Sequence, residues 1–355
     1  MTDLHFVVPD GIDDPARPSG GNAYDRRLCR GLTAAGWSVH EHAVPGPWPE
    51  RDPAALAALA AAVERIPDDA AVLLDGLVAS AAADVLVPQV DRLRLVVLVH
   101  MPLGHRPPEG LTAEVRQCEG ALLSSAAAVV TTSAWSRRRL VELYELPPER
   151  VHVAVPGADA ADPATGSAAG GELLCVGAVT FEKGQDVLLA ALATVKDLAW
   201  RCVCVGSLER DPAFADEVGR RAAESGLDGR IRFPGPRTGG DLDSSYAAAD
   251  LLVLPSRAET YGMVVTEALA RGVPVAAADV GGVTEALGYG ADGIRPGMLV
   301  PPEEPAALGA ALRGWLGDAE LRKRLRGAAC ERRESLPDWS TTTSVVGGVL
   351  AGASR

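Results

Sequence analysis

Residues 157–171 read GADAADPATGSAAGG, small and polar throughout with no bulky apolar side chain, and a stretch of that composition connects elements rather than forming one. Toward the N-terminus, short β-branched runs at 4–8, 37–42, 71–74, 93–99, 127–131 and 151–155 alternate with segments of helical period. Toward the C-terminus the alternation starts afresh, with runs at 172–177, 200–206, 230–233, 251–254 and 273–277. Strands separated by helical segments are the pattern of βαβ units and a parallel sheet. The sequence therefore predicts an α/β chain of two Rossmann-like, doubly wound domains, 1–160 and 172–337, joined by a linker at 161–171. A tail at 338–355 carries Trp339, Val345, Val346, Val349 and Leu350 in amphipathic spacing and is expected to pack back as a helix on either domain. Ligands of such sheets bind outside the carboxyl ends of the strands, so the expected site is a central cleft onto which both sheets open.

Length agrees, because 355 residues allow two domains at a soft prior of ~150 residues each. With 34 Lys+Arg against 47 Asp+Glu the formal net charge is −13, which argues against a long nucleic-acid backbone as the main partner. A hydrophobic fraction of 47% beside 23% charged residues is enough to bury a sizeable core. Cys29, Cys118, Cys175, Cys202, Cys204 and Cys330 include no CxxC pair and read as small core hydrophobes rather than zinc ligands or a disulfide framework. The first residues show no basic segment followed by an apolar one, so a cytoplasmic location is expected. The longest apolar run, 54–63, falls short of the ~20 residues a membrane span needs. Arg322, Lys323, Arg324, Arg326, Arg332 and Arg333 read as a solvated helix face, with weak peripheral contact to an acidic membrane surface as an alternative use.

At 251–267 the chain reads LLVLPSRAETYGMVVTE, a buried strand running through a short loop into a helix. Glu259 sits at the helix entrance, where the backbone N–H groups of Tyr261, Gly262, Met263 and Val264 are expected to be unpaired and to offer, with the helix dipole, a seat for phosphate or sugar oxygens. Gly262 lets a ligand approach the backbone closely. Glu267 lies about 80° further around a ~3.6-residue helix, so both carboxylates can line one groove. Read as ordinary helix residues, Glu259 is an N-terminal charge and Glu267 a partner of Arg271 at i+4. Gly20 and Gly21 follow the first strand and expose N–H donors ahead of a helix, although their spacing is not the GxGxxG fingerprint. Lys183, in Glu182-Lys183-Gly184, follows the strand that ends at Gly177, a place for a cation facing a diphosphate or simply solvent. His100 closes the run 95–99 at a strand's carboxyl end. With His105 it gives HxxxxH spacing, but no carboxylate or Cys accompanies the pair and Pro102 breaks a shared face, so no metal site is expected. His5, His40, His42 and His152 read as structural, and neither a GxSxG elbow nor a P-loop is present.

In order, Gly20-Gly21, His100, Glu182-Lys183-Gly184 and the pair Glu259 and Glu267 resemble family 4 of the retaining glycosyltransferases, which have the GT-B fold and use nucleotide-diphosphate sugars. The resemblance spans nearly the whole chain, with supporting stretches at 20–39, 129–140 and, most specific, YAAADLLVLPSRAETYGMVVTEALARGVPVAAADVGGVTE at 246–285. It implies transfer of a hexose from a UDP- or GDP-sugar to a hydroxyl of a small or lipid-linked acceptor, with no metal and no cofactor besides the donor itself. A GT-B-like nucleotide-sugar epimerase, needing no acceptor, and a non-catalytic nucleotide-sugar-binding protein are the alternatives. By resemblance, Glu259 holds donor-sugar hydroxyls, with the backbone of Thr260, Tyr261, Gly262, Met263 and Val264 contacting sugar and phosphate, and Glu267 accepts from the ribose. Lys183 neutralises the diphosphate, Gly20 and Gly21 add N–H donors to it, and His100 touches the sugar near the reacting carbon. Gly177 belongs to the same donor site, and Gly206, Ser207, Pro236 and Arg237 border the nucleoside. Acceptor contacts are expected around Asn22, Tyr24, Asp25 and residues 101–107, and the 157–171 stretch is the expected hinge for domain closure. One departure stands out: the family often has an Arg after the glycine matched by Gly177, whereas this chain has Ala178, so Arg257 or another Arg is expected to replace that cation.

Overall fold

The computed structural model describes residues 2–106 and 112–353, so the expected acceptor residue Pro107 and the last residues of the tail, 354–355, lie outside the described residues. The chain forms two compact units, one of Met1–Asp13, Ser19–Gly157 and Pro337–Arg355, the other of Asp14–Pro18 and Ala158–Leu336. In the first unit the strands are β1 (Thr2–Pro9), β2 (Trp37–Val44), β3 (Ala71–Asp75), β4 (Arg94–Val99), β5 (Ala128–Thr131) and β6 (Val151–Val153). They pair in parallel in the order β2-β1-β3-β4-β5-β6. The second unit holds β7 (Glu172–Val176), β8 (Arg201–Val205), β9 (Ile231–Gly235), β10 (Leu251–Leu254), β11 (Val275–Ala278) and β12 (Gly297–Val300). Here the parallel order is β12-β11-β10-β7-β8-β9.

Every residue of β3, β5, β10 and β11 is buried. Helices cover both faces of such sheets, which is why these strands read as unbroken apolar runs rather than as alternations. Each unit has its own core, around Val72, Val97 and Leu122 in the first and around Leu188, Val253 and Trp315 in the second. β12 escaped the sequence reading: its four residues, GMLV, lie between prolines and offer neither a β-branched run nor alternation, and what makes them a strand is pairing along β11.

The segment expected as a free linker is docked on the second unit. Buried Asp250 accepts from Ser167 N at 2.7 Å, from Ser167 Oγ at 2.5 Å and from Glu172 N at 2.9 Å, and it pairs with Arg326. Thr165 N and Gly166 N donate to Ala247 O. The tail helix, Trp339–Ala353, belongs to the first unit, where Thr342 Oγ1 donates to Val155 O at 2.7 Å. A Cβ on Gly31 would stand 2.2 Å from Thr343 Oγ1, so a glycine is what lets the helix Gly20–Ala34 take this packing. Cys330 is exposed, which corrects its reading as a core residue, whereas Cys118, Cys175, Cys202 and Cys204 are buried.

Candidate functional site

In the second unit the strand order reverses direction between β7 and β10, and the crevice outside such a switch point is where open α/β sheets bind ligands. Polar side chains from the loops after these two strands meet there. Beyond β7 the chain makes a 3-10 turn, Phe181–Lys183, closed by Gly184 at φ +68°. A Cβ on Gly184 would stand 2.3 Å from Pro255 O, so the missing side chain lets this turn rest on the loop after β10. Arg257 N donates to Glu182 O at 2.8 Å across the same junction. Lys183 Nζ then reaches Glu259 Oε1 at 2.6 Å, and Ser256 Oγ donates to the same oxygen at 2.8 Å. The Glu259 side chain is 10% exposed and that of Lys183 33%, which leaves the ammonium donors to spare for a ligand. From below, Gly281 and Gly282 support the Glu259 loop: a Cβ on the first would stand 1.6 Å from Glu259 O and on the second 2.2 Å from Thr260 O. Sequence reasoning gave this pair no role, although two adjacent glycines shortly after an apolar strand signal a close backbone approach.

Helix Met263–Leu269 starts from Gly262, at φ +89°, with no side chain capping it. Tyr261 is buried, and burial pushes its hydroxyl up to about 12, so what Tyr261 offers a ligand is its backbone. Glu267 accepts from Tyr246 Oη at 2.6 Å. Burial raises the Glu267 carboxyl above its ordinary range, against the lowering pull of the Tyr246 hydrogen bond and of Arg271. Arg271 is not its side-chain partner as expected: the guanidinium donates to Glu267 O at 2.9 Å, lies over the Tyr246 ring and pairs with Asp243. Tyr246, which carries this arrangement, was not singled out because nothing local in the sequence ties it to a residue 21 positions on.

In the first unit the switch point lies between β1 and β3. Ser19 caps the helix Gly20–Ala34 by accepting from Asn22 N at 3.1 Å, and Gly20 and Gly21 are its first two residues. Their N–H groups have no partner among the described residues. His100 follows β4 with Nε2 2.7 Å from Asp25 Oδ1 and 3.8 Å from Asp75 Oδ2, the latter at the end of β3. Gly21 lies against the imidazole, since a Cβ there would stand 3.2 Å from His100 Cδ2. Tyr24 and Asp25, expected among the acceptor contacts, are 0% and 1% exposed. They point inward, Tyr24 with its hydroxyl donating to Ala154 O at 3.0 Å, while Met101 is exposed and Asn22 half-buried.

The family described as "Glycosyl transferases group 1" matches residues 169–332. D-inositol 3-phosphate glycosyltransferase 1 of Catenulispora acidiphila is 32% identical over 340 residues, which cover 86% of this chain and 77% of that one. The chain belongs to family 4 of the glycosyltransferases. Of seven further relatives with the D-inositol 3-phosphate glycosyltransferase name, the chain spans between 51% and 63% of the length. The fold is GT-B: sucrose-phosphate synthase from Thermosynechococcus elongatus superposes with a TM-score of 0.81 at 21% identity, over 99% of both chains. HepE of Anabaena in complex with UDP-glucose does so with a TM-score of 0.79 at 18% identity, over 99% of this chain and 100% of that one.

Against the family 4 pattern, the remaining expectations divide. Gly206 and Gly177 touch through their backbones, a Cβ on Gly206 falling 1.9 Å from Gly177 O. Ser207 is buried beside them, its carbonyl accepting from Val179 N at 2.9 Å. Arg237 donates to Ser245 Oγ at 2.9 Å and, with Arg232 and Pro234, lines a cavity of about 250 Å³ that none of Lys183, Glu259 or Glu267 borders; Pro236 precedes it as an exposed residue. Arg257 is not the substitute cation. Asp186 holds its guanidinium through two bonds of 2.9 and 2.8 Å, Glu303 binds Nε at 3.0 Å, Phe181 O takes another donor, and the Phe181 ring lies 4.0 Å away. Against the upward push of burial, those bonds hold the Asp186 carboxyl below its ordinary range. This glycosyltransferase therefore spends Arg257 on bracing the Lys183 turn. The basic run near the end is also not the free face expected: Arg322, Arg326, Arg332 and Arg333 are tied to Trp315 O, Asp250, Leu287 O and Ala161 O, leaving Lys323 and Arg324 exposed. No helix among the described residues is long and apolar enough to cross a membrane.

Proposed function

We propose that this chain transfers a hexose from a UDP- or GDP-sugar to a hydroxyl of a small or lipid-linked acceptor, with retention at the anomeric carbon and without a metal ion. The observation that carries the reading is the Lys183–Glu259 ion pair, 2.6 Å long, at the switch point of the second sheet. Glu259 offers a carboxylate fixed by Lys183 and Ser256, suited to accept from donor-sugar hydroxyls. Lys183 brings a cation to the place a diphosphate would take. As the bond from the anomeric carbon to the diphosphate oxygen breaks, negative charge grows on that oxygen, so a cation held there stabilises the transition state more than the ground state. The acceptor oxygen bonds to the anomeric carbon from the face the phosphate leaves, and its proton passes to the departing phosphate oxygen. Glu267, already holding the Tyr246 hydroxyl, keeps an oxygen for the ribose, and the N–H groups of Gly20 and Gly21 supply donors to phosphate oxygens.

The names of the relatives make a phosphorylated cyclitol the first acceptor to test, and UDP-glucose, bound in the Anabaena protein, the first donor. The experiment is to incubate the chain with UDP- or GDP-hexoses and D-inositol 3-phosphate, with and without EDTA, and to follow nucleoside diphosphate release and product mass. The reading expects an α-linked hexoside formed at the same rate in both buffers from an α-linked donor. Turnover of donor without acceptor, an inverted linkage or a loss on chelation would contradict it.

A further inference from the structure

The carboxylates of Asp25 and Asp75 have no part in the reading above, yet they stand directly behind His100. We propose that Asp75, Asp25 and His100 form a buried hydrogen-bonded relay that locks the imidazole with Nδ1 turned outward, making Asp25 and Asp75 positioning residues for transfer. This rests on the proposed role of His100 beside the reacting sugar. Three elements bring the residues together at the switch point of the first sheet: Asp25 comes from the helix Gly20–Ala34, Asp75 ends β3 and His100 follows β4.

Asp25 and Asp75 are 1% and 3% exposed, so water cannot satisfy them and their hydrogen bonds must be found locally. At 2.7 Å from Asp25 Oδ1, His100 Nε2 carries the proton of that bond, because a carboxylate can only accept. His100 Nδ1 has no partner among the described residues, and the side chain is 15% exposed. Asp25 Oδ2 is buried and receives no bond from any fixed donor. In the proposed relay Asp75, whose carboxylate lies within 4.8 Å of the Asp25 and His100 ligand atoms, supplies the missing one. Its Oδ1 accepts from Leu77 N at 2.8 Å and Val78 N at 3.4 Å, and Oδ2, 3.8 Å from His100 Nε2, is the oxygen to which the relay assigns the proton shared with Asp25. A buried carboxyl beside a second carboxylate resists ionisation, and burial first, then Asp25, pushes Asp75 well above the ordinary carboxylate range. Burial pulls the imidazole down, but Asp25 and then Asp75 outweigh it, and His100 holds its charge above the ordinary histidine range.

The ring is also confined physically. Tyr24 meets it edge-on with centroids 5.1 Å apart, and Gly21 closes the other approach. Tyr24, whose hydroxyl burial and then Asp25 raise far above its ordinary range, is the further titratable group in ring contact with His100 among the described residues and stays neutral. Donor atoms of the three relay residues lie within 4.8 Å of one another. However, ligands of one metal at about 2.0–2.2 Å stand roughly 3 Å or more apart, and the 2.7 Å His100–Asp25 contact is a hydrogen bond.

The test is 15N NMR of histidine-labelled enzyme, with His100 assigned through His100→Gln, beside pH–rate profiles of Asp25→Asn and Asp75→Asn. In wild type, His100 Nε2 remains protonated and titrates above an ordinary histidine. Asp25→Asn brings that titration down, lowers kcat about 100-fold with donor KM within about threefold, and shifts the alkaline limb of the profile to lower pH. In Asp75→Asn the amide imitates the protonated acid and still donates to Asp25, so the rate falls by less than tenfold. Three results would overturn the relay: a His100 titration unmoved in Asp25→Asn, a neutral ring protonated on Nδ1, or stoichiometric binding of Zn2+ or Mg2+ that Asp25→Asn abolishes. The spectra need no substrate, so a wild-type chain without transferase activity would refute the function and leave the relay judged on its own.

Discussion

Lys183 and Glu259 lie 76 positions apart and form a 2.6 Å ion pair, with Ser256 as a third member. Lys183→Ala takes away the cation whose interaction grows as the diphosphate departs, and Glu259→Ala takes away the carboxylate that positions both Lys183 and the donor-sugar hydroxyls, so each should lower kcat at least about 100-fold with the circular dichroism spectrum unchanged. Rates near wild type would remove both from the site. Arg257 marks where residue-level reading from sequence reached its limit. A lone Arg in a loop looked like spare positive charge, but its partners Asp186 and Glu303 come from 71 positions before it and 46 after, distances no local pattern reports. Asp186→Ala would remove the two-pronged partner of a guanidinium that is 7% exposed, leaving it only Glu303 and Phe181 O. The expected loss is about 3 kcal/mol of stability, measured by urea unfolding, with a fall in activity because the Lys183 turn loses its brace. A loss under about 0.5 kcal/mol, the range of an ordinary surface substitution, would show that Arg257 does not depend on Asp186. The placement of Lys183, Glu259 and His100 was legible because each follows a strand at its carboxyl end. Asp25 and Asp75 were misread or passed over, since their meaning lies in what they face.

Among elements, the loop after β11 is the support on which the Glu259 loop rests. Gly281 sits at φ +55°, and an added Cβ would fall 1.6 Å from Glu259 O. Gly281→Ala must therefore shift backbone against backbone, and it should destabilise by about 1–3 kcal/mol while weakening donor binding more than tenfold; unchanged binding would mean that the loop needs no such support. Between β1 and β2, His5 Nδ1 and His42 Nε2 share a 2.9 Å hydrogen bond that requires one ring to be neutral. Burial first, then neighbouring positive charges, pull both below the ordinary histidine range. The unfolded chain thus takes up protons more readily, and this contribution to stability is whole above about pH 6.5 and fades as pH falls through the folded values. His100 and Asp75, raised in the fold, run the opposite way. The test is accordingly a difference: between pH 7.5 and 5 the wild-type Tm should fall relative to that of the His5→Gln, His42→Gln variant, and parallel curves would contradict the account. Strand positions were legible because buried parallel strands are unbroken apolar runs. β12 was not, because its pairing with β11 and not its own composition makes it a strand.

At the scale of the molecule, two alternating βα series gave away two doubly wound sheets, and each sheet places its polar residues at its own reversal of strand order. The 157–171 stretch was read as a connection from its small residues, but its role inside the second unit depends on Asp250, which satisfies Ser167 and the start of β7 from 83 and 78 positions away. The central claim, that the Lys183–Glu259 centre holds the diphosphate of a nucleotide sugar, is tested most directly by thermal unfolding of wild type and Lys183→Ala with UDP-, GDP- and ADP-hexoses. At a ligand concentration 100 times Kd the bound state gains about 2.7 kcal/mol, so the account predicts a Tm rise of several degrees with a UDP- or GDP-sugar in wild type and little or none in Lys183→Ala. No rise with any nucleotide sugar, or an equal rise in both proteins, would contradict it.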